Sequence, residues 1–449
     1  MAPWRAQATE SRRPKKTAPQ GAARTIISIK NDLMTIDIQD LASEELATKD
    51  WAARFSTRMA GIRASEIREL LKLLEQPDIL SFAGGIPDPA LFPARAIRAA
   101  YAEILADGAQ AAQALQYTVS EGHGPLRRWI AERMTRDGMP CEPENVLLTA
   151  GSQQALDLLG KLFLDPGATV IVARPTYLGA LQAFNAYQPA YLDLPEGALD
   201  GDAAARAAVG ACAPRLGYFV PDFANPTGVS LTLAQREALL DLAEAGDFPL
   251  VEDGAYRELR FGGEAIPSLL ALDIARNGSI EAARTLFCGT LSKTLSPALR
   301  IGWICGPKAV IEKLVLLKQG GDLHVSTINQ MVAHRVVSEG YDQHLGRLRA
   351  AYGGQARAML AALQQHMPAG VSWISPEGGM FVWLTLPAGL DGKDLLARAL
   401  TDIRVAFVPG APFFAEAPAA NTLRLSYSLL PPDQIEEGVR RLAGLIANG

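Results

Sequence analysis

The sequence lacks the features that mark membrane-spanning, secreted, nucleotide-binding and nucleic-acid-binding proteins. No apolar run approaches the roughly 20 residues of a transmembrane helix, and the N-terminus has no apolar core like that of a secretory signal. The formal net charge is -5, so no overall basic field favours nucleic acid. The G-x-G-x-x-G and P-loop patterns are both absent. We therefore expect a cytoplasmic protein without a membrane or nucleic-acid partner.

Cysteine is also scarce, and its positions argue against two kinds of site. The four cysteines are Cys141, Cys212, Cys288 and Cys305, and no two of them form a C-x-x-C pair. Cys288 and Cys305 lie in apolar runs, so we expect buried thiols rather than disulfides or metal ligands. This usage is typical of a reducing compartment.

The chain is long enough for two or three domains. Its 449 residues are 49% apolar and 20% charged, which is typical of a well-buried globular protein. Up to about Arg24 the sequence is basic and rich in alanine, proline and glutamine, which predicts a disordered tail. The alternatives are a targeting peptide and an over-extended gene start with Met34 as the initiator.

Short apolar runs alternate with helical patterns through the middle of the chain. We predict strands at 146–149, 169–172, 218–220, 249–252, 285–288 and 301–305, and helices at 155–164 and 232–245. Thr232 and Gln235 form a capping-box pattern at the start of the second helix. This alternation predicts an α/β fold, in which helices cover both faces of a mostly parallel central sheet.

The pattern changes after about Ser326. A long helix-prone stretch comes first, followed by apolar runs at 371–374, 379–384 and 422–427 and a helix near 395–400. We predict a smaller α+β domain, to which the segment before about residue 100 returns. The predicted divisions are an N-terminal extension at 1–50, a segment of the small domain at 51–105, a large domain at 106–335 and the small C-terminal domain at 336–449.

Lys293 is the most informative residue of the chain. It lies between the apolar runs at 285–288 and 301–305, beside the hydroxyls of Thr290 and Ser292 and seven residues before Arg300. A lysine amine forms a Schiff base with an aldehyde, and pyridoxal phosphate is the common biological aldehyde used in this way. Thr290, Ser292 and Arg300 are suitable donors for its phosphate. For this segment alone, a solvated surface lysine is the alternative.

Polar residues follow three other predicted strands. Ser152 and Gln153 lie at a strand-to-helix turn where free N–H groups favour an anion, although a plain tight turn is the commoner explanation. Asn225 can donate a hydrogen bond to a phenolate oxygen, and Tyr256 can reach the same atom. Asp253 ends an apolar strand and needs a partner such as a protonated pyridine nitrogen, or else caps a helix.

Four further residues are candidates for the site, and the first three also have an ordinary explanation. Tyr177 follows a predicted strand and either stacks on a flat ring or belongs to the core. Tyr117 is either a phosphate ligand or a surface residue. Arg424 lies in an apolar strand, where an arginine is rarely unpaired. Its planar guanidinium can bind a carboxylate ligand through two hydrogen bonds, and we favour this explanation over a structural ion pair. Gly85 belongs to a glycine-rich loop whose backbone can approach a ligand closely.

In this order and at these strand ends, the motifs resemble the class I and II, fold-type-I pyridoxal-phosphate aminotransferases over roughly residues 50–449. The resemblance is carried by Gly151 to Gln154, Asn225 to Gly228, Asp253, Tyr256, Ser292, Lys293, Arg300 and Arg424. Segments at 65–70, 81–85, 319–324 and 421–427 look most like those of 2-aminoadipate and aromatic or kynurenine-type aminotransferases. Thr290 and Ala298 depart from the commonest residues of the pattern, and neither change threatens the chemistry.

The resemblance implies a role for each cofactor residue. Lys293 would form the internal aldimine and then move the proton between Cα and C4′. Asp253 would keep the pyridine nitrogen protonated, Asn225 and Tyr256 would hydrogen-bond the ring oxygen, and Tyr177 would cover the ring. The phosphate ligands would be Ser152, Gln153, Thr290, Ser292 and Arg300.

The resemblance also implies a partner subunit and a substrate site. Tyr117 would reach the phosphate of a neighbouring subunit, so a homodimer with its active site at the interface is expected. Arg424 would bind the substrate α-carboxylate, with Asn225 and Gly85 beside it. Arg68 would meet a distal carboxylate or swing aside for apolar side chains.

We therefore expect an aminotransferase that moves an amino group from an L-amino acid to a 2-oxo acid such as 2-oxoglutarate. The donor would be 2-aminoadipate, an aromatic or a branched-chain amino acid, and the sequence leaves that choice open. Another pyridoxal-phosphate reaction on the same fold, such as that of a lyase or a decarboxylase, is the alternative. A regulator with an aminotransferase-like domain is less favoured, because no helix-turn-helix pattern precedes the domain.

Overall fold

The computed structural model describes residues 51–62, 78–195 and 197–448. The predicted tail and Arg68 lie outside the described residues. So do residues 64–74, where Ile67, Leu70, Leu71 and Leu74 recur at the spacing that predicts a helix. Residues 51–55, with a short 3-10 turn at Ala52–Arg54, form a unit apart from residues 56–449. Every element named below belongs to this second unit.

The described strands form three sheets. They are β1 (Leu80–Ser81), β2 (Val146–Thr149), β3 (Thr169–Ala173), β4 (Ala190–Leu194), β5 (Leu216–Phe219), β6 (Leu250–Asp253), β7 (Thr285–Thr290), β8 (Gly302–Cys305), β9 (Ser372–Trp373), β10 (Phe381–Thr385), β11 (Val405–Ala406), β12 (Val408–Pro409) and β13 (Thr422–Ser426). The largest sheet has the order β2-β8-β7-β6-β5-β3-β4. Within it only β8 runs antiparallel to its neighbours, so the mostly parallel sheet is confirmed.

Helices cover both faces of the large sheet. The described α-helices are α1 (Ala94–Ala106), α2 (Gly108–Ala114), α3 (Gly124–Arg136), α4 (Ser152–Phe163), α5 (Leu178–Asn185), α6 (Ala203–Cys212), α7 (Leu233–Ala245), α8 (Leu269–Asn277), α9 (Lys308–Gln319), α10 (Thr327–Ser338), α11 (Tyr341–His366), α12 (Gly392–Arg398) and α13 (Pro432–Ala447). Val170 and Val172 of β3 pack into one apolar core, whereas Ile171 packs into another. Because successive strand residues face opposite sides, each face of the sheet has its own core. None of these described helices is both long and apolar enough to cross a membrane.

Two smaller sheets use the C-terminal part of the chain. One is antiparallel and has the order β12-β13-β10-β9. The helices α11 and α13, from the same part of the chain, pack against each other. In the other, β1 pairs in parallel with β11, with Leu80 opposite Val405. This pairing brings the segment before residue 100 back to the C-terminal part of the chain. The domain boundaries given above remain predictions.

Most predicted elements are found within a few residues of their predicted positions. Thr232 accepts the Gln235 backbone N–H at 3.2 Å, and the Gln235 side chain accepts the Thr232 N–H at 3.0 Å, so the capping box at the start of α7 is confirmed. The helix-prone stretch after Ser326 is two helices, α10 and α11. Gly340 separates them with a φ of +81°, a left-handed conformation that favours glycine.

Candidate active site

One edge of the seven-stranded sheet collects polar side chains from distant parts of the chain. Strands β2, β3, β5, β6 and β7 end at this edge, and the antiparallel β8 begins there. A cavity of about 620 Å³ opens at this edge. The predicted site residues that line it are Gly85, Ser152, Gln153, Tyr177, Asn225, Asp253, Tyr256, Thr290, Ser292, Lys293, Arg300 and Arg424. In open α/β sheets, ligands bind at this edge.

The Lys293 amine lies inside the cavity, three residues after the end of β7. Its Nζ donates to the Gly85 carbonyl at 2.8 Å and lies 5.9 Å from the centre of the Tyr256 ring. Burial, and after it the positive charge of Arg424, lower the pKa of Lys293 to about 8. A sizeable fraction of this amine is therefore neutral, and hence nucleophilic, near physiological pH.

Asp253 is the last residue of β6 and is 97% buried, with a relative exposure of only 3%. Its Oδ2 accepts the Tyr218 hydroxyl at 2.8 Å, and its Oδ1 accepts the Ala255 N–H at 3.2 Å. Burial raises the pKa of Asp253, and the Tyr218 hydrogen bond opposes that rise. A cation beside this carboxylate would offset its desolvation.

Asn225 lies in the turn after β5, where the Asn225–Pro226 peptide bond is cis. Its Nδ2 donates to the Tyr256 hydroxyl at 3.5 Å, which is a long hydrogen bond, and its Oδ1 accepts from Arg424 at 2.8 Å. Burial raises the pKa of Tyr256, so its hydroxyl stays protonated and able to donate. Asn225 and Tyr256 therefore present an amide and a hydroxyl side by side.

Arg424 enters the cavity from β13 and is almost fully buried. Its Nη2 donates to the Ala83 carbonyl at 3.0 Å, and its guanidinium lies 4.3 Å from the Phe381 ring centre and 5.1 Å from that of Phe413. Burial lowers the pKa of Arg424 to about 10, so the group remains charged. Among the described residues it has no acidic partner, and its buried Nε has no hydrogen-bond acceptor. A carboxylate ligand would supply the missing acidic partner of the guanidinium.

The turn before α4 and the segment around β7 face each other across the far end of the cavity. Gly151, at the helix N-cap, has a φ of +82°, and a Cβ built on it would lie 2.3 Å from an Arg300 nitrogen. Arg300 Nη2 donates to the Ala150 carbonyl at 2.8 Å. The Thr290 hydroxyl donates to Ser292 Oγ at 2.9 Å. Helix N–H groups, hydroxyls and a guanidinium in this arrangement can bind a phosphate.

Tyr177 follows β3 and lies directly before α5. Its ring crosses over Gly179, where a Cβ would come within 2.4 Å of the phenol carbon. The Gly179 carbonyl in turn accepts from Gln153 at 2.7 Å. Burial raises the pKa of Tyr177 to about 12. The ring is therefore a neutral flat surface on one wall of the cavity.

Two predicted residues are not part of this cluster. Tyr117 is 78% exposed, does not line the cavity and meets the His324 ring edge-on at 5.8 Å between centroids. Arg68 lies outside the described residues. Both assignments therefore remain predictions.

Sequence reasoning missed Tyr218, Phe381 and Phe413. Tyr218 lies inside β5, where an apolar run gives no sign that its hydroxyl meets Asp253 on the next strand. Phe381 and Phe413 look like ordinary core residues, and only the fold brings them to Arg424. The distance in sequence between partners is the reason that no local signal existed.

A larger surface groove, of about 1210 Å³, lies away from this cluster. Several arginines line it, and three of the ion pairs there are those of Arg133 with Glu258 and of Arg257 and Arg260 with Asp222. None of the residues predicted for the site lines this groove. We therefore take the cavity around Lys293 as the candidate active site.

The sequence was compared with models of known protein families. Residues 78–442 match the model described as aminotransferase class I and II, which is most of the chain. The chain belongs to this family. Its members are pyridoxal-phosphate-dependent aminotransferases, and this enzyme is one of them.

Individual relatives are similar over nearly their whole length. A 2-aminoadipate transaminase from Thermus thermophilus is 44% identical over 402 residues, which cover 88% of this chain and 98% of the relative. An aromatic-amino-acid aminotransferase from Thermococcus litoralis is 42% identical over 410 residues, which cover 90% and 96%. The crystal structure of the α-aminoadipate aminotransferase from Thermus thermophilus, complexed with N-(5′-phosphopyridoxyl)-L-leucine, has a TM-score of 0.81 at 43% identity, covering 89% of this chain and 98% of that one.

The residues of the cavity fit pyridoxal phosphate. The enzyme has an amine of lowered pKa for the aldehyde, at Lys293, and a buried carboxylate for the ring nitrogen, at Asp253. Gly151 leaves room for the Arg300 guanidinium beside the helix N-terminus, where a Cβ would collide with it, and these two groups suit a phosphate. The aldehyde, the ring nitrogen and the phosphate would therefore each find a suitable partner in the cavity.

Proposed function

We propose that this enzyme transfers the α-amino group of 2-aminoadipate, an aromatic or a branched-chain L-amino acid to a 2-oxo acid such as 2-oxoglutarate. The observation that carries the proposal is the meeting of Lys293, Asp253 and Arg424 in one cavity. An amine, a buried carboxylate and a buried guanidinium without an acidic partner among the described residues match the three needs of the reaction: proton movement, ring-charge control and carboxylate binding.

Lys293 is proposed to hold the cofactor and to move the substrate proton. When bound, pyridoxal phosphate supplies an aldehyde that takes up the amino group and a ring that accepts electrons from the substrate Cα. The Lys293 Nζ would take a proton from the substrate Cα and deliver it to C4′ of the cofactor. Its pKa of about 8 lies near the operating pH, where a proton shuttle works best.

Asp253, Asn225 and Tyr256 are proposed to set the charge of the ring. The Asp253 carboxylate would hold a proton on the ring nitrogen, and Tyr218 fixes the carboxylate from behind at 2.8 Å. Asn225 Nδ2 and the Tyr256 hydroxyl would donate to the ring oxygen. Tyr177 would lie against the ring and exclude water from one face.

Five residues are proposed to hold the phosphate, and two to hold the substrate carboxylate. The phosphate group comprises Ser152, Gln153, Thr290, Ser292 and Arg300. Arg424 would bind the α-carboxylate with the second N–H groups of Nη1 and Nη2, whose first N–H groups donate to Asn225 and Ala83, and Asn225 would complete that contact. The Gly85 loop would close the site, since its carbonyl already accepts from Lys293. Arg68 is proposed to meet a distal carboxylate or to move aside for apolar side chains.

A homodimer is proposed, with Tyr117 reaching the phosphate of the neighbouring subunit. Support comes from three neighbouring apolar side chains that are unusually exposed, Leu115 at 73%, Tyr117 at 78% and Val119 at 59%. Such a patch is typical of an interface. We also propose a cytoplasmic location, supported by the free thiols of Cys288 and Cys305 in buried strands.

A donor panel with one acceptor tests the proposal. Purified enzyme with pyridoxal phosphate and 2-oxoglutarate is mixed with 2-aminoadipate, leucine, phenylalanine, kynurenine, aspartate or alanine, and glutamate is measured. We expect glutamate from the first four amino acids, at rates well above those with aspartate and alanine. Turnover confined to aspartate or alanine would overturn the substrate class, and loss of the amino acid without glutamate would favour a lyase or a decarboxylase.

A further inference from the structure

Lys318 is a lysine whose side chain is completely buried, at the C-terminal end of α9. Its Nζ donates to both carboxylate oxygens of Asp322, at 2.7 and 2.9 Å, and to Gln154 Oε1 at 3.0 Å. The backbone N–H groups of Gly321, Asp322 and Leu323 all donate to the Lys318 carbonyl, at 2.9 to 3.1 Å. Both ends of this residue therefore fix the turn that follows α9.

Gln154 connects this lysine to the start of α4. Its Oε1 accepts from Lys318 and also from the Ala150 backbone N–H at 2.8 Å, while its Nε2 donates to Asp322 Oδ2 at 2.8 Å. If the amide were flipped, its Nε2 would face two hydrogen-bond donors, Lys318 Nζ and the Ala150 N–H. These contacts therefore fix one orientation of the Gln154 side chain. The Gln154 amide therefore connects the Ala150 backbone to the end of α9 by hydrogen bonds.

The Ala150 peptide in turn holds the proposed phosphate site. Its carbonyl accepts from Arg300 Nη2 at 2.8 Å, and the next residue, Gly151, is the N-cap of α4. A continuous hydrogen-bonded path therefore runs from Asp322 through Lys318, Gln154 and Ala150 to Arg300. It reaches the guanidinium and the helix N-terminus together.

Burying a lysine side chain costs free energy of folding. Its charge loses hydration, and an apolar side chain of similar volume in such a place is often as stable or more stable. An ion pair with well-ordered partners instead fixes the positions of its neighbours. Here Gln154 holds the Ala150 peptide, which contacts Arg300 and directly precedes the α4 N-cap. Arg300 and the α4 N-terminus are the two groups that would bind the anion.

We propose that Lys318, Gln154 and Asp322 form a brace that positions Arg300 and the α4 N-terminus for the cofactor phosphate. The brace rests on the proposed phosphate role of Arg300 and Ser152, and it assigns Lys318 a positioning role without contact with the cofactor. It acts on the phosphate end alone, because the path ends at Ala150 and Arg300 and does not reach Lys293 or Asp253.

The test compares two aldehydes that differ only in the phosphate. The apoenzyme and its Lys318→Met and Gln154→Leu variants are titrated with pyridoxal phosphate and with pyridoxal, and dissociation constants are measured by absorbance. We expect each variant to bind pyridoxal phosphate about tenfold more weakly, the factor that loss of one charge-assisted hydrogen bond produces, and pyridoxal within about twofold of the parent. The phosphorus NMR signal of the bound cofactor should also shift.

A double variant and a matched control sharpen the comparison. Because both side chains belong to one path, Lys318→Met with Gln154→Leu should lose little more affinity than either change alone. Lys313→Met makes the same chemical change at an exposed position of the same helix and should bind both aldehydes like the parent.

Two results would overturn the brace. One is parental affinity for pyridoxal phosphate in both variants, and the other is equal weakening of both aldehydes, which would mean general loss of structure. If Lys318→Met fails to fold, the Gln154→Leu variant alone tests the brace, because in that variant Lys318 keeps its ion pair with Asp322. The proposed function fails in a different way, when the unaltered protein neither binds pyridoxal phosphate nor forms glutamate.

Discussion

Arg424 donates through Nη1 to Asn225 Oδ1 at 2.8 Å, although the two residues lie 199 positions apart in sequence. The arginine comes from the four-stranded sheet, and the asparagine comes from a turn at the edge of the seven-stranded sheet. This contact joins the proposed carboxylate-binding group to the proposed ring-oxygen donor. A substrate carboxylate bound by Arg424 would thereby be held at a fixed position relative to the proposed ring site.

The first prediction concerns carboxylate binding by Arg424. Replacing it with methionine, as Arg424→Met, keeps much of its volume between Phe381 and Phe413 but removes the charge. We expect kcat/KM for amino acids and 2-oxo acids to fall at least about thirtyfold, since truncating one partner of a buried charge pair costs about 2 kcal/mol or more. Cofactor affinity should change little.

Steady-state kinetics and a cofactor titration measure both quantities. The exposed Arg440→Met is the matched control and should behave like the parent. A large loss of cofactor affinity with an unchanged KM would contradict the assignment of Arg424 to the substrate.

The second prediction concerns Tyr218, which touches Asp253 rather than the cofactor. Tyr218→Phe removes the hydroxyl that donates to Asp253 Oδ2, so the pKa of Asp253 should rise further. A more basic carboxylate would take the proton for itself rather than leave it on the ring nitrogen, so kcat should fall about tenfold, as for loss of a hydrogen bond to a charged group. Tyr191→Phe removes a hydroxyl that bonds Asn185 outside the cavity, and it should leave kcat unchanged. Equal kcat in the parent and Tyr218→Phe would exclude a positioning role for Tyr218.

The third prediction is a pH dependence. Only the neutral Lys293 amine attacks an aldehyde, and its pKa is about 8 rather than the ordinary 10.5. The rate at which the apoenzyme takes up pyridoxal phosphate should therefore rise about tenfold per pH unit below 8 and level off above it. The charge of Arg424 helps to lower the pKa of Lys293, so Arg424→Met should move the midpoint to higher pH. Stopped-flow absorbance across pH 6 to about 11 measures this, and a midpoint near the ordinary lysine value in the parent would contradict it.

The fourth prediction tests the close approach of β8 to the start of α4. A Cβ on Gly302 would lie 2.6 Å from the Gly151 carbonyl carbon and 2.7 Å from the Ser152 nitrogen. Since those atoms are backbone, Gly302→Ala must push the helix N-terminus away from the phosphate, and cofactor should be lost on dialysis. Gly210→Ala, where a Cβ meets open space, is the control. Full cofactor retention by Gly302→Ala would show that the helix N-terminus is not needed for phosphate binding.

The fifth prediction concerns the proposed dimer. Leu115→Glu combined with Val119→Glu places two charges in the exposed apolar patch around Tyr117 and should produce monomers of low activity. Sedimentation velocity at micromolar concentration measures the oligomeric state. Leu233→Glu changes another exposed leucine and should leave a dimer. An active monomer would contradict a shared active site.

The sequence was informative wherever function follows a strand end. Asp253 comes directly after an apolar run, and Asn225 and Lys293 follow theirs within a few residues. Each was therefore predicted near a strand end, which is where ligands bind in a mostly parallel sheet, and the resemblance to aminotransferases supplied their roles. The same reasoning could not reach Tyr218, because its hydroxyl partner lies on a neighbouring strand and the run around it is uniformly apolar.

Lys318 illustrates the second limit of sequence reasoning. A lysine near the end of a helix is ordinarily solvated, and nothing in its neighbours indicates burial. Its contact with Gln154 spans 164 residues and depends on how α9 packs on the start of α4. Such contacts between three distant segments are fixed by tertiary packing alone.

The lysine that carries the cofactor can be identified by chemical reduction of the bound form. The holoenzyme is reduced with borohydride and digested, and the peptides are analysed by mass spectrometry. The account predicts a phosphopyridoxyl group on Lys293, at one per chain, and none after Lys293→Ala. A label on another lysine, such as Lys318, or an unlabelled Lys293 in an active enzyme would contradict it.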